Sequence, residues 1–163
     1  MSETSHPTHT YRTSLRWTGS TRAGYRAYAR THEVRADRAD AVLALSSDPA
    51  FRGDPDLLNP EQLLVAAASS CQLLSFLAVA AKARLDVVAY EDEATAVMPE
   101  DDPPMRLTQI VIRPTITVVA TDGGGDPTDE RLAHLCEVAH RECFIANSLR
   151  TEVVVEPTFL RLA

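Results

Sequence analysis

The sequence predicts an α+β fold, with antiparallel sheets around a long buried central helix and a second helix nearer the C-terminus. Three observations carry this. Short segments with two-residue alternation open the chain, a capped apolar run from Asn59 to Leu85 occupies its middle, and a helical stripe from Leu132 to Cys143 lies between later strand-like segments. With 163 residues, 45% of them hydrophobic and 24% charged, the chain can bury one substantial core. The expected organisation is a flexible tail over residues 1–10 and a single domain over residues 11–163.

The tail is polar and aperiodic, and its His6 and His9 receive no role. Tyr11, Thr13, Leu15 and Trp17 alternate with Arg12, Ser14 and Arg16, the period of a half-buried strand, and Thr18-Gly19-Ser20 ends it. A second strand is expected from about Tyr25 to Arg35 and a short third from Ala41 to Leu45, giving an antiparallel meander. Ser46 to Leu58 is a loop whose prolines and Gly53 bar regular structure, and it delivers the chain to the central helix.

Asn59 is an N-cap residue, Pro60 suits the first helical position, and Gln62 completes a capping box. The helix behind them has no wide polar face, so it must be covered on all sides. Ser69, Ser70, Gln72 and Ser75 interrupt it too often for a membrane span. Val87 to Val97 and Leu107 to Val119 read as two long strands around an acidic turn from Pro99 to Pro104. Gly123 to Gly125 form a flexible loop that lacks the Lys and Ser/Thr of a phosphate loop. Asp126 and Pro127 cap the second helix, where Leu132, Leu135, Cys136, Ala139 and Cys143 share one stripe. Glu152 to Leu162 is the last strand.

A net charge of -7 gives no basic footprint for nucleic acid or an anionic membrane, although arginines gather near the N-terminus. Three cysteines do not make a disulfide scaffold, and residues 1–10 lack the apolar segment of a signal peptide, so a cytoplasmic protein is expected. His134, Cys136, His140 and Cys143 do not converge on one helix face, which argues against zinc, and no cofactor is implied. Cys136 reads as core packing or an alternative resolving thiol, and His140 as a structural residue.

Cys71 is a thiol in an apolar helix, flanked by Ser69, Ser70 and Gln72. Taken alone such a residue is a small apolar filler. A guanidinium beside a thiol, however, lowers its pKa and supplies the thiolate that attacks peroxides and disulfides, and this chain offers several arginines.

The run Asn59-Pro60-Glu61-Gln62-Leu63-Leu64 with Cys71, followed by Ala139-His140-Arg141-Glu142-Cys143, resembles the OsmC/Ohr family of thiol peroxidases, bacterial proteins that reduce organic hydroperoxides. The likeness extends over nearly the whole chain. Tyr25-Arg26-Ala27-Tyr28-Ala29-Arg30 and Cys143-Phe144-Ile145-Ala146-Asn147-Ser148 look like the OsmC-like branch. The resemblance implies that Cys71 is the peroxidatic cysteine, Cys143 the resolving cysteine that closes a disulfide with it, and Glu61 the carboxylate that orients an arginine. Alternation cannot choose among Arg22, Arg26 and Arg30; the family pattern favours Arg30, with Arg26 next. An external dithiol would reduce the disulfide.

In a regular helix Glu61 and Cys71 stand about 15 Å apart along the axis, too far for a relay within one chain. A second subunit that supplies Glu61 and its arginine resolves this, and the family resemblance likewise implies an intertwined homodimer. The expected function is therefore cysteine-based reduction of organic hydroperoxides in oxidative-stress defence. The alternative is a non-enzymatic dimer that binds a small ligand or senses redox state.

Overall fold

The computed structural model describes residues 7–119 and 127–162; His6, Gly123 to Gly125 and Asp126 fall outside them. The chain divides into two compact units, Met1–Gln62 and Leu63–Ala163.

In the first unit β1 (Thr13–Arg16), β2 (His32–Ala36) and β3 (Val42–Leu45) form an antiparallel sheet in that order. The register sets Leu15 opposite Val34 and Val34 opposite Leu43, so the expected alternation places three apolar side chains on one face. The expected strand from Tyr25 is corrected, because β2 begins only at His32. Gly24, with φ 87, makes a turn that a side chain would strain. The residues after it fold into a loop in which Trp17 Nε1 donates to the Ala29 carbonyl at 2.8 Å and Tyr28 meets the edges of Trp17 and Tyr25. The aromatics that read as strand formers hold this loop together instead.

The segment before the central helix is tied internally. A short 3-10 helix, Pro49–Phe51, starts where Asp48 Oδ1 accepts the Ala50 N–H at 2.7 Å, and buried Ser46 Oγ accepts from Asp54 N–H at 3.0 Å. A Cβ on Gly53 would fall 1.5 Å from the Ser47 carbonyl oxygen, so only glycine lets the backbones approach this closely. The capping box forms as expected: Asn59 Oδ1 accepts from Gln62 N–H at 2.8 Å, and Gln62 Oε1 accepts from Asn59 N–H at 3.0 Å. It starts α1 (Pro60–Lys82).

The second unit is built on β4 (Asp86–Val97) and β5 (Gln109–Val119), which pair antiparallel. β6 (Glu152–Val155) and β7 (Thr158–Leu162) both run parallel to β5, β6 beside Gln109 to Ile112 and β7 beside Thr115 to Val119. The single last strand expected from Glu152 to Leu162 is therefore two, interrupted around Pro157, which has no N–H for a ladder, and this sheet is mixed rather than purely antiparallel. Ile110, Ile112, Ile116 and Val118 alternate inward from β5 and are fully buried. Ala68 covers Ile110 and Ile112, while Phe76, Val79 and Ala80 cover Ile116 and Val118 together with Leu132, Cys136 and Ala139.

Those last three residues belong to α2 (Asp129–Arg141). Its N-cap is Thr128, whose Oγ1 accepts from Arg131 N–H at 3.3 Å, rather than the expected Asp126-Pro127 pair. The helix stops at Arg141, so Cys143 leaves the predicted stripe and instead caps α3 (Phe144–Ser148); it is buried nonetheless.

By length and hydropathy alone α1 could cross a membrane, but here it contributes Phe76, Val79 and Ala80 to the core over the sheet. The expectation that it is covered on every side is corrected for a single chain. Ala66, Ser70, Leu74, Leu77 and Ala81 lie exposed along one side, and Leu74 keeps 63% of its surface.

Candidate functional site

Cys71 lies in the middle of α1, half-buried, with its side chain toward the junction of α2 and α3. The Ile145 N–H donates to the Cys71 sulfur at 3.5 Å. Cys143, 1% exposed, is a close neighbour of the same sulfur, near enough for Cys71 to act on its thiol. The two cysteines named from the sequence are thus brought together, both as free thiols.

Burial pushes the Cys143 thiol above its ordinary range. The amide of Ala146 pulls it back, the neighbouring Cys71 sulfur raises it again, and the Ile145 amide opposes this. Burial therefore favours the protonated thiol of Cys143 beside Cys71. Burial, with Glu137 nearby, pushes Cys136 up to about 12, which suits a packing role better than a nucleophile. Tyr90, half-buried beside Phe76, is raised by burial first and then by Asp92 and the two buried thiols. Its hydroxyl, Gln72 Oε1 and His140 Nδ1 are buried without a partner in the structure.

Cys71 opens into a cleft of about 530 Å³ between α1 and the α2–α3 junction. α1 lines it with Cys71, Leu74, Ser75, Ala78 and Lys82, a face spaced i, i+3, i+4, i+7 and i+11; Arg141, Glu142, Phe144 and Asn147 form the other wall. Of the large apolar residues that follow Cys71 on α1, Leu74 lines the cleft, whereas Phe76 is wholly in the core and Leu77 is exposed outside the lining. Sequence reasoning missed Lys82, Arg141 and Phe144 as lining. Lys82 was visible as the residue three turns beyond Cys71 on its own face, and Arg141 and Phe144 as the neighbours of Cys143.

The other expected site residues lie in the first unit. Glu61 occupies the first turn of α1, and Arg22 and Arg26 are exposed. Arg30 is held in its own loop: its guanidinium carbon lies 4.1 Å from the Tyr28 ring centre and 4.8 Å from that of Tyr25, and its Nη1 and Nη2 donate to the carbonyls of Tyr28 and Tyr25 at 2.9 and 2.8 Å. None of the three arginines lies in a strand, since β2 begins only at His32, after the Arg26 and Arg30 that the expected strand included. Among the described residues no group of three or more His, Cys, Asp or Glu side chains is placed to hold a metal.

The fold recurs in known proteins. An OsmC-like protein of unknown function from Vibrio cholerae is 29% identical, with a TM-score of 0.82 over 93% of this chain and 100% of its own. An organic hydroperoxide resistance protein from Elizabethkingia anophelis shares the fold at 20% identity and a TM-score of 0.69, over 96% of this chain and 99% of its own. The organic hydroperoxide resistance protein OhrB of Bacillus subtilis does so at 18% identity and a TM-score of 0.57, over 93% and 98%. No curated protein matches the chain. The family model described as OsmC-like protein matches residues 53–158, the stretch that holds the capping box, Cys71 and Cys143, and strands β4 to β6 of the mixed sheet, and this chain belongs to that family.

Proposed function

We propose that the protein is a thiol-dependent peroxidase that reduces organic hydroperoxides in a reducing, cytoplasmic setting. The observation that carries this is the nearness of Cys71 and Cys143, far apart in sequence, with Cys71 lining a largely apolar cleft. Cys71 as thiolate attacks the distal peroxide oxygen, the O–O bond breaks, and the alkoxide leaves with a proton as the alcohol. The sulfenic acid formed condenses with the Cys143 thiol, losing water and closing a disulfide. An external dithiol then returns two electrons and two protons by exchange.

Ile145 N–H contributes one hydrogen bond to the attacking sulfur. The remaining stabilisation is assigned to an arginine, Arg30 first and Arg26 next, oriented by Glu61. The ten residues of continuous helix between Glu61 and Cys71 support a second copy as their source. In this homodimer the partner also covers the exposed stripe of Ala66, Leu74 and Leu77. Two fold relatives are organic hydroperoxide resistance proteins, which supports the same chemistry.

Mass spectrometry after a stoichiometric dose of cumene hydroperoxide tests this. The expected product is a Cys71–Cys143 disulfide, absent in Cys71→Ser. A protein left as free thiols would favour the second reading, a dimer that uses the same cleft to bind a small apolar ligand without turnover.

A further inference from the structure

Resting on the peroxidase reading, we propose that the buried hydroxyl of Tyr90 serves the resolving step, donating a hydrogen bond to the Cys143 sulfur as that thiol gives up its proton. Contacts on three elements place the ring. Tyr90 and Asp92 alternate onto one face of β4, and that face meets α1. Ser69 Oγ donates to Asp92 Oδ2 at 2.6 Å, and the rings of Phe76 and Tyr90 pack with centroids 6.1 Å apart. Gln72 lies between Ser69 and Phe76 on the same side of α1, 1% exposed, and its Nε2 donates to the Cys136 carbonyl of α2 at 3.5 Å. Tyr90 also packs against the core that holds Cys136 and Ala139.

The Tyr90 hydroxyl is buried where α1, α2 and β4 meet, and it has no partner there; nor has Gln72 Oε1 beside it. Buried polar groups are almost always bonded, and an orphaned one weakens a fold, so phenylalanine would serve the packing at least as well. The surroundings of the hydroxyl give it a use. Cys143 follows the end of α2 and comes back to Cys71, the residue beside Gln72 on α1. The titratable groups that act on Tyr90 are Asp92 on its own strand and the thiols of Cys136 and Cys143. The other neighbours, Ser69, Gln72 and Phe76 from α1 and Ile116 from β5, do not titrate. Burial and these charges raise the phenol above its ordinary range, so it remains a donor while thiols ionise.

Resolution needs such a donor. The Cys143 sulfur attacks the sulfur of the Cys71 sulfenic acid, its S–H bond breaks and the S–S bond forms. The S–O bond of the sulfenic acid breaks in turn, and the hydroxide leaves with the Cys143 proton as water. Burial opposes the thiolate character that the attack requires, and the amides of Ala146 and Ile145 offset this in part. Tyr90 adds a donor from the sheet. A hydrogen bond to a sulfur gaining charge, in a site poor in water, is stronger than one between neutral groups, and such bonds tighten only as the reacting state forms. Attack of Cys71 on the peroxide makes no use of Tyr90.

The test follows a single turnover of the full-length protein and of Tyr90→Phe with stoichiometric cumene hydroperoxide. Peroxide loss reports Cys71 oxidation, and mass spectrometry with dimedone separates the Cys71 sulfenic acid from the Cys71–Cys143 disulfide. Tyr90→Phe should consume peroxide at the wild-type rate and close the disulfide about tenfold more slowly, the scale of one hydrogen bond to a charged group, with an undiminished Tm. The deficit should shrink as pH rises, because added base supplies the thiolate that the phenol otherwise favours. Equal closure rates, a deficit that pH does not change, a matching loss in Cys71 oxidation or a lowered Tm would overturn the role of Tyr90 while leaving the peroxidase intact. If no hydroperoxide is consumed, the peroxidase reading fails, and the aromatic disulfide DTNB decides the matter. Cys71 releases one thionitrobenzoate on labelling, and Cys143 releases a second when it attacks the mixed disulfide at Cys71. Slowing of the second release alone in Tyr90→Phe is expected; identical second phases, slowing of both, or no second release in either protein would overturn the inference.

Discussion

The backbone N–H of Ile145 reaches the sulfur of Cys71 at 3.5 Å, tying the middle of α1 to the first turn of α3. The same short helix carries Cys143 as its N-cap, so the contact also fixes where the second thiol stands. A break in α2 at Arg141 makes this possible: had the helix continued, Cys143 would have stayed on the stripe facing the sheet.

Replacing either thiol should separate two stages of turnover. Cys71→Ser is expected to abolish hydroperoxide consumption with unchanged circular dichroism, since serine keeps the acceptor for Ile145. Cys143→Ser should consume one equivalent and stop at the sulfenic acid, which a dimedone adduct on Cys71 would report. Sustained cycling of Cys143→Ser with a dithiol would show that Cys143 does not resolve.

Arg30 should matter more than Arg26. Its fork already donates to the carbonyls of Tyr25 and Tyr28, so its loop is shaped around a guanidinium, whereas Arg26 is exposed. Arg30→Ala is expected to lower kcat/KM roughly a hundredfold, the scale for losing one donor to a developing charge, and Arg26→Ala to change it little. The reverse order in steady-state assays would move the role to Arg26. Arg30→Lys keeps the charge without the fork and separates electrostatics from loop geometry.

Stability should fall on the alkaline side. Burial lifts Cys136 from its ordinary 9.0 to about 12 in the folded protein, and Cys143 is raised as well. Above pH ~9 the unfolded chain sheds these protons while the folded one retains them, so the unfolded state binds fewer and stability declines with pH. For Cys136 the contribution is intact below pH ~9 and is lost toward about 12, at roughly 1.4 kcal/mol per pH unit; Cys143 acts in the same direction. Urea unfolding at about pH 8 and about pH 11 should show this drop, smaller in Cys136→Ala.

Phe76 and Asn59 test the scaffold. Phe76 is fully buried on the sheet-facing side of α1 against Tyr90, and Phe76→Ala should cost about 3–5 kcal/mol in chemical denaturation by opening a cavity. Asn59→Ala removes the side chain that accepts from Gln62 N–H, and about 1 kcal/mol is expected. A larger effect at Asn59 than at Phe76 would mean that the cap, rather than core packing, holds α1.

What the sequence determined by itself were the features set by neighbours along the chain. The Asn59–Gln62 cap, the alternation of β5, the central position of Cys71 and the family motifs all depend on spacing of a few residues, and each was legible there. Tertiary structure decided what distant residues do to one another. It turned Tyr25 to Ala29 into a loop because aromatic contacts outweighed strand propensity, split the last strand at Pro157, and ended α2 before Cys143. By bringing that cysteine back beside Cys71 it made a thiol pair and a lined cleft, because hydrogen bonds and shared burial join groups that no periodicity in one dimension can relate.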